Sequence, residues 1–405
     1  MNGHSQASSW RTPVVVLLAG ALVVNFSVGL RHGMGLLLTP MTADLGMSRE
    51  NFSLAFAVQN LMWGISAPLL GMLADKYGSG RVVAATCVLY ALGFFGMQHA
   101  TTPLALWLTG GALIGIAQGG CTIGVITGAI GRATPPEQRQ QALAISGALG
   151  AFGQFYLVPI LQWLIGTWGW GAALGASALA MLAVAPLAIA LAEPARAVGP
   201  ALQEQSVSQA LKEALRERGF ILLCLGFFVC GIQVVFIGLH LPAYLRDKGM
   251  GAEVAVVALV LIAASNVAGT YWWGMQGARR PKRHLLSVIY ALRAVFILAF
   301  LAVPLTPWSV YAFALAMGSL WLSTVPLTNG LVAQVFGVRY LSMLAGMVFL
   351  CHQIGSALGA WMGGALFDAT GSYTLSWMVC AGLGVVAALL HLPIDERPVA
   401  TRSAA

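Results

Sequence analysis

Gly71-Met72-Leu73-Ala74-Asp75-Lys76-Tyr77-Gly78-Ser79-Gly80-Arg81 is a polar turn between two apolar runs, residues 51–74 and 82–99. Each run is close to the ~20 residues a helix needs to cross the hydrocarbon of a bilayer. A related segment, GMQGARRPKR at 274–283, stands about 203 residues further on, again between two apolar runs. Two such turns in one chain describe a repeated set of membrane-spanning helices.

Outward from these turns, runs of spanning length recur at 14–38, 51–74, 82–99, 104–131, 140–166, 168–191, 219–245, 254–275, 284–303, 307–335, 341–367 and 373–393. The chain is therefore expected to be an all-α polytopic membrane protein of twelve transmembrane helices, six plus six. Composition agrees: 59% of the 405 residues are hydrophobic, 8% are charged, and mean hydropathy is +0.82, whereas a soluble domain is about a quarter charged. The alternating pattern of a membrane barrel is absent, and hydrocarbon otherwise admits only helices. Residues 1–191 are expected to form one six-helix bundle, 192–218 a polar cytoplasmic linker, and 219–405 a second bundle. Within the linker, Ser208–Arg218 has helical spacing that suits the inner membrane surface, with a plain tether as the equal alternative.

A net charge of +8 raises the question of nucleic acid, but the charges sort by side. With a cytoplasmic N-terminus, 16 of the 21 Lys and Arg residues fall in inner loops and tails, and only Arg49, Arg246 and Lys248 fall outside. That positive-inside bias places both termini in the cytoplasm, and the setting expected is the inner membrane of a bacterial cell. The polar start MNGHSQASSWRTP precedes an apolar run too long for a cleaved signal, so that run is expected to remain as the first span. All six cysteines fall in spans without a CxxC pair, which reads as buried thiols, not disulfides or a metal site. No cofactor motif, HExxH, phosphate loop or activated nucleophile is present, so an enzyme is not expected.

Segment 71–81 resembles the signature of the loop between spans 2 and 3 of the major facilitator superfamily, roughly G-x-L-A-D-r-x-G-x-k-R, and the six-plus-six arrangement agrees. The resemblance implies two bundles around a central cavity that opens alternately to either side. It also makes Gly71, Asp75, Gly78 and Arg81 a gating loop, with Asp75 and Arg81 latching the inner side and the glycines permitting the turn. The second copy carries Ala278 where an aspartate would stand. Pro40-Met41, Leu45-Gly46-Met47-Ser48-Arg49 and the glycine-rich spans 4, 5 and 11 are similar to the branch containing monocarboxylate transporters and the oxalate/formate antiporter. Some members of that branch bind substrate with an arginine in span 8, where this chain has Asn266 and no arginine.

The ionisable groups within the spans narrow the function. Arg31 lies two thirds of the way along the first apolar run, where a permanently charged guanidinium costs several kcal/mol unless it faces protein or a watery cavity. All 13 acidic residues can be placed in loops, tails or span ends, which removes the buried carboxylate a cation-exporting pump would need. What remains at depth suits an organic anion: Arg31 can grip a carboxylate through two parallel bonds, and Gln118, Gln154, His240, Asn266, Asn329 and Gln353 are candidate substrate ligands. His32, His240 and His352 are candidate proton carriers. Plainer roles stand beside these: Arg31 as a helix brace, His240 as packing, the amides as joints between helices, and Arg293 as a structural partner. The glycines of Gly147-Ala-Leu-Gly150-Ala-Phe-Gly153 and Gly355-Ser-Ala-Leu-Gly359 suit either sliding or static close packing. The expected function is secondary transport of a small organic anion, a monocarboxylate, coupled to protons or a counter-anion, by a monomer in the lipid bilayer. An efflux permease for a toxic compound or secreted metabolite is the alternative.

Overall fold

The computed structural model describes residues 10–192, 214–336 and 341–398. Most of the expected linker and its 208–218 segment lie outside the described residues, as do Arg196, Lys212, Arg339 and Arg402 of the inward charge set. Among the described residues every regular element is helical.

Span 1 is Pro13–His32, continued by a tight turn at Gly33–Leu37 into Leu38–Leu45; spans 2 and 3 are Arg49–Tyr77 and Ser79–Gln98. Span 4 is segmented: Pro103–Leu106, a wide turn Trp107–Leu113, Ile114–Cys121, an extended Thr122, then Ile123–Ala133. Spans 7, 8 and 9 are Arg218–Asp247, Ala252–Gly277 and Lys282–Ala302. Span 10 is Pro307–Leu320 and Thr324–Phe336, broken between, and spans 11 and 12 are Leu341–Thr370 and Thr374–His391.

Eleven helical stretches among the described residues are long and apolar enough to cross a membrane, not twelve. The difference lies in Pro136–Val184, a single run of 49 residues that turns at Gly169, where φ is 85°. At ~1.5 Å per residue such a run is more than twice the hydrocarbon thickness, so it holds both spans 5 and 6. Without a side chain, Gly169 takes up this left-handed conformation at little cost, and the chain reverses with no polar loop.

Three spans begin on the same device. Thr12, Thr102 and Thr306 each accept a bond from the backbone N–H three residues on, and each is followed by proline at the first helical position. The threonine satisfies an orphan donor and the proline has none to offer. The starts of spans 4 and 10, Thr102 and Thr306, are 204 residues apart, close to the spacing of the two polar turns.

The described helices group into two compact units. In the first, span 1 as far as Met34 packs with the helices from Ile65 onward; in the second, Gly35–Gly64 packs with the helices from span 7 onward. In the second unit Trp377 is fully buried and edge-on to Phe236, Tyr244, Phe300 and Phe313. Close helix packing in each unit runs through glycine: Gly150 lies against Val24 and Gly153 against the Asn25 backbone, while Gly355 and Gly359 lie against the backbone of Phe228 and Ile232.

Candidate functional site

In the first unit Arg31 is part of a hydrogen-bonded chain linking spans 1, 3 and 4. Its Nη1 donates to Gln118 Oε1 at 2.9 Å, and Gln118 Nε2 donates to the Tyr90 hydroxyl at 3.1 Å. Tyr90 in turn donates to the Ser27 carbonyl at 3.2 Å. Gln118 is fully buried and Arg31 half-buried. The amide turns its oxygen to the guanidinium and its nitrogen to the phenol, so it orients the cation while adding no charge. Ser27 Oγ donates to the Cys121 carbonyl at 3.0 Å and Thr122 Oγ1 to the Gln118 carbonyl. These satisfy carbonyls released where span 4 breaks at Thr122. Irregular backbone at membrane depth survives only where protein supplies such partners.

The second unit repeats this arrangement with different residues. At the break in span 10, Arg293 Nη2 donates to the Leu320 and Trp321 carbonyls, both at 2.6 Å, and Nη1 reaches Gln233 Oε1 at 3.2 Å and Cys230 Sγ at 3.3 Å. Asn266 Oδ1 accepts from the Leu322 N–H at 3.0 Å. Arg293, fully buried in span 9, thus binds the negative end of the helix Pro307–Leu320. Asn266, read from the sequence as a substrate ligand, gives its oxygen to the broken backbone.

The other candidates are placed as follows. Gln353 and His352 adjoin: His352 Nδ1 is 3.1 Å from Gln353 Oε1 and 3.3 Å from Ser356 Oγ, and Gln353 Nε2 lies 3.4 Å from the Asn60 carbonyl. His32 bonds its own helix through Val28 O at 2.9 Å. Gln154 is buried on span 5, and Asn329 is exposed on span 10. His240 is fully buried and bonds Ala360 O and the Tyr373 hydroxyl.

Residues counted above as outer-loop or span-end charges form a clasp in the second unit. Arg49 grips Asp247 with two bonds of 2.6 Å, and its guanidinium covers the Phe367 ring at 3.9 Å. The backbone N–H groups of Arg49 and Glu50, at the start of span 2, donate to the two oxygens of Asp368 at 3.2 and 2.6 Å. Tyr373 accepts from Arg49 Nη1 at 3.0 Å, and burial pushes its phenol up to about 12 against the pull of the Arg49 charge. Tyr90, Ser27 and Tyr373 gave no sign in the sequence, since a tyrosine or serine in a span is unremarkable until its partner is known.

In the loop at 71–81, Gly78 takes φ 93° at the turn and Gly71 has open space beside it. Arg81 is exposed, and Asp75 pairs with Arg132 at the end of span 4, at 3.3 Å, while Arg132 also donates to Ser79 at 2.7 Å. In the second copy, Lys282 reaches Gln334 at the end of span 10, at 2.7 Å. Because the Asp75–Arg132 pair is exposed, Asp75→Asn is expected to change stability by less than ~1 kcal/mol. A thermal melt of the purified variant checks this; a drop of many degrees would show the pair to be structural.

The model of the Major Facilitator Superfamily matches residues 17–360. The chain belongs to the major facilitator superfamily. Mouse monocarboxylate transporter 11 is 28% identical over 396 residues, covering 94% of this chain and 87% of that protein. Bovine monocarboxylate transporter 13 is 29% identical over 353 residues, covering 84% and 79%. The oxalate:formate antiporter of Oxalobacter formigenes is 22% identical over 395 residues, covering 95% and 92%. A crystal structure of a mutant of the nucleoside transporter NupG superposes with a TM-score of 0.76 at 16% identity, covering 94% of this chain and 99% of that one. As a major facilitator, the chain is an integral membrane transporter and not an enzyme.

Proposed function

We propose that this major facilitator is a secondary active transporter of a small organic anion, a monocarboxylate, working by alternating access and coupled to protons or to a counter-anion. The setting proposed is the bacterial inner membrane, with a monomer whose termini are both cytoplasmic. The observation that carries the reading is the Arg31–Gln118 pair: a guanidinium at bilayer depth, held by a neutral amide that orients it without cancelling its charge. A carboxylate can meet such a guanidinium with two parallel charge-assisted bonds. The relatives named monocarboxylate transporters and the oxalate:formate antiporter support a carboxylate cargo. In this reading Arg31 and Gln118 bind substrate, Gln154 and Gln353 remain further ligand candidates, and Asn266 is assigned to the span 10 break.

The test is uptake of labelled mono- and dicarboxylates into proteoliposomes, with and without a pH gradient, comparing wild type with Arg31→Gln at matched reconstitution. The expected result is saturable uptake in the wild type and a loss of about 100-fold in the variant, equal to ~2.8 kcal/mol of charge-assisted bonding. If no acid is carried, or the variant transports normally, the anion reading fails and an efflux permease takes its place.

A further inference from the structure

His240 lies near the end of span 7, fully buried, and its hydrogen bonds have a fixed direction. Its Nε2 is 2.9 Å from the Ala360 carbonyl, which can only accept, so the ring proton sits on Nε2 and Nδ1 presents a lone pair. The Tyr373 hydroxyl, 3.3 Å from Nδ1, must then donate to it. That hydroxyl oxygen is the one that accepts from Arg49. A directed chain therefore runs from the clasp into the core: Arg49 N–H to Tyr373 O, and Tyr373 O–H to His240 Nδ1.

We infer that His240 is a proton-binding site that controls the Arg49–Asp247–Asp368 clasp, proton uptake releasing the start of span 2 from spans 7 and 11. A proton on Nδ1 turns an acceptor into a donor. The Tyr373 hydroxyl loses its acceptor, and its oxygen is claimed by both the imidazolium and Arg49. A second positive charge then stands one hydroxyl away from the guanidinium. On the span 11 side the ring is closed in by Gly363, where there is no room for even a methyl group. The charged and titratable groups around it are Arg49 and Glu50 from span 2, Asp368 from span 11, Asp247 and Tyr244 from its own helix, and Tyr373. All three carboxylates are already engaged, Asp247 by the guanidinium, Asp368 by the N-terminus of span 2 and Glu50 by the Trp361 indole. The added charge therefore finds no carboxylate to spare and weakens the hold on Arg49. The sign follows: acid opens the clasp and alkali closes it. Positive-inside bias puts this end of the spans outside, where a proton-driven importer loads. The inference deepens the carrier reading and rests on it only for what the release serves.

The test is backbone hydrogen exchange of the full-length protein in nanodiscs, without substrate, at pH 7.5 and 4.0. Exchange is normalised to the intrinsic rate at each pH and followed in peptides covering 45–53 and 366–376. Wild-type protection is expected to fall about tenfold in acid. Tyr373→Phe, which keeps the ring and removes the relay, and His240→Gln are expected to stay protected at both pH values; Arg49→Gln is expected to exchange fast at both. Wild-type protection that does not change with pH overturns the proposal, and so does a wild-type drop retained in Tyr373→Phe or His240→Gln. Because no substrate is present, the clasp result and the anion-uptake result can each fail while the other stands.

Discussion

Arg293→Ala is expected to lower the stability of the protein by about 4 kcal/mol, since buried backbone carbonyls stripped of their donor each cost ~1–3 kcal/mol. The guanidinium serves the Leu320 and Trp321 carbonyls and the Gln233 amide together, in a part of the second unit with no solvent to replace it. Truncation also leaves a void the size of the largest side chains in that core, which adds to the loss. Arg293→Lys should recover only part of it, because an ammonium on a shorter reach cannot span both carbonyls and the amide. Asn266→Leu, which strips a single N–H at Leu322, should cost less than either. The measurement is the thermal midpoint in detergent, read as loss of the monodisperse species, with substrate KM measured on the folded fraction. A brace predicts a lower midpoint with KM unchanged in Arg293→Lys; a KM that rises with an unchanged midpoint would make Arg293 a substrate ligand instead.

Gly355→Val is expected to be nearly as damaging, at about 3 kcal/mol or more, because the new atoms meet the Phe228 backbone and not a side chain that can turn away. One turn further on, Gly359 lies against the Ile232 backbone, and from the facing helix Gly231 lies against the His352 carbonyl. Spans 7 and 11 therefore touch backbone to backbone along two turns, and neither can yield without separating the pair. Gly382 in span 12 is the control: it has nothing within 4 Å of where a Cβ would stand. Gly382→Ala should be neutral or stabilising by up to ~1 kcal/mol, since alanine is the better helix residue. If Gly355→Val melts with the wild type, the packing of spans 7 and 11 described above is wrong.

The helical class and the spans were legible in the sequence because both are a matter of spacing along the chain. Partnerships were not. Asn266 reads equally as a ligand or a joint, and only the proximity of Leu322, 56 residues later, decides where its oxygen goes. Asp75 was paired by motif with the inner latch, and its partner proves to be Arg132 from span 4. Arg49, Asp247 and Asp368 read as separate loop or span-end charges, since nothing in hydropathy says that three such residues converge. The boundary between spans 5 and 6, read at 166–168 from the apolar runs, falls beside the turn at Gly169 that separates the two helices.

The two interrupted spans share a property of order. Ser27 precedes the break at Thr122, and Asn266 and Arg293 precede the break after Leu320. A ribosome adding ~5–20 residues per second makes each set of partners seconds before the backbone that needs them. When a discontinuous helix leaves the ribosome, the groups that will receive its exposed carbonyls and N–H groups have already been made. Reversing that order, by a circular permutation that moved spans 8 and 9 behind span 10, would send an unsatisfied backbone into lipid first.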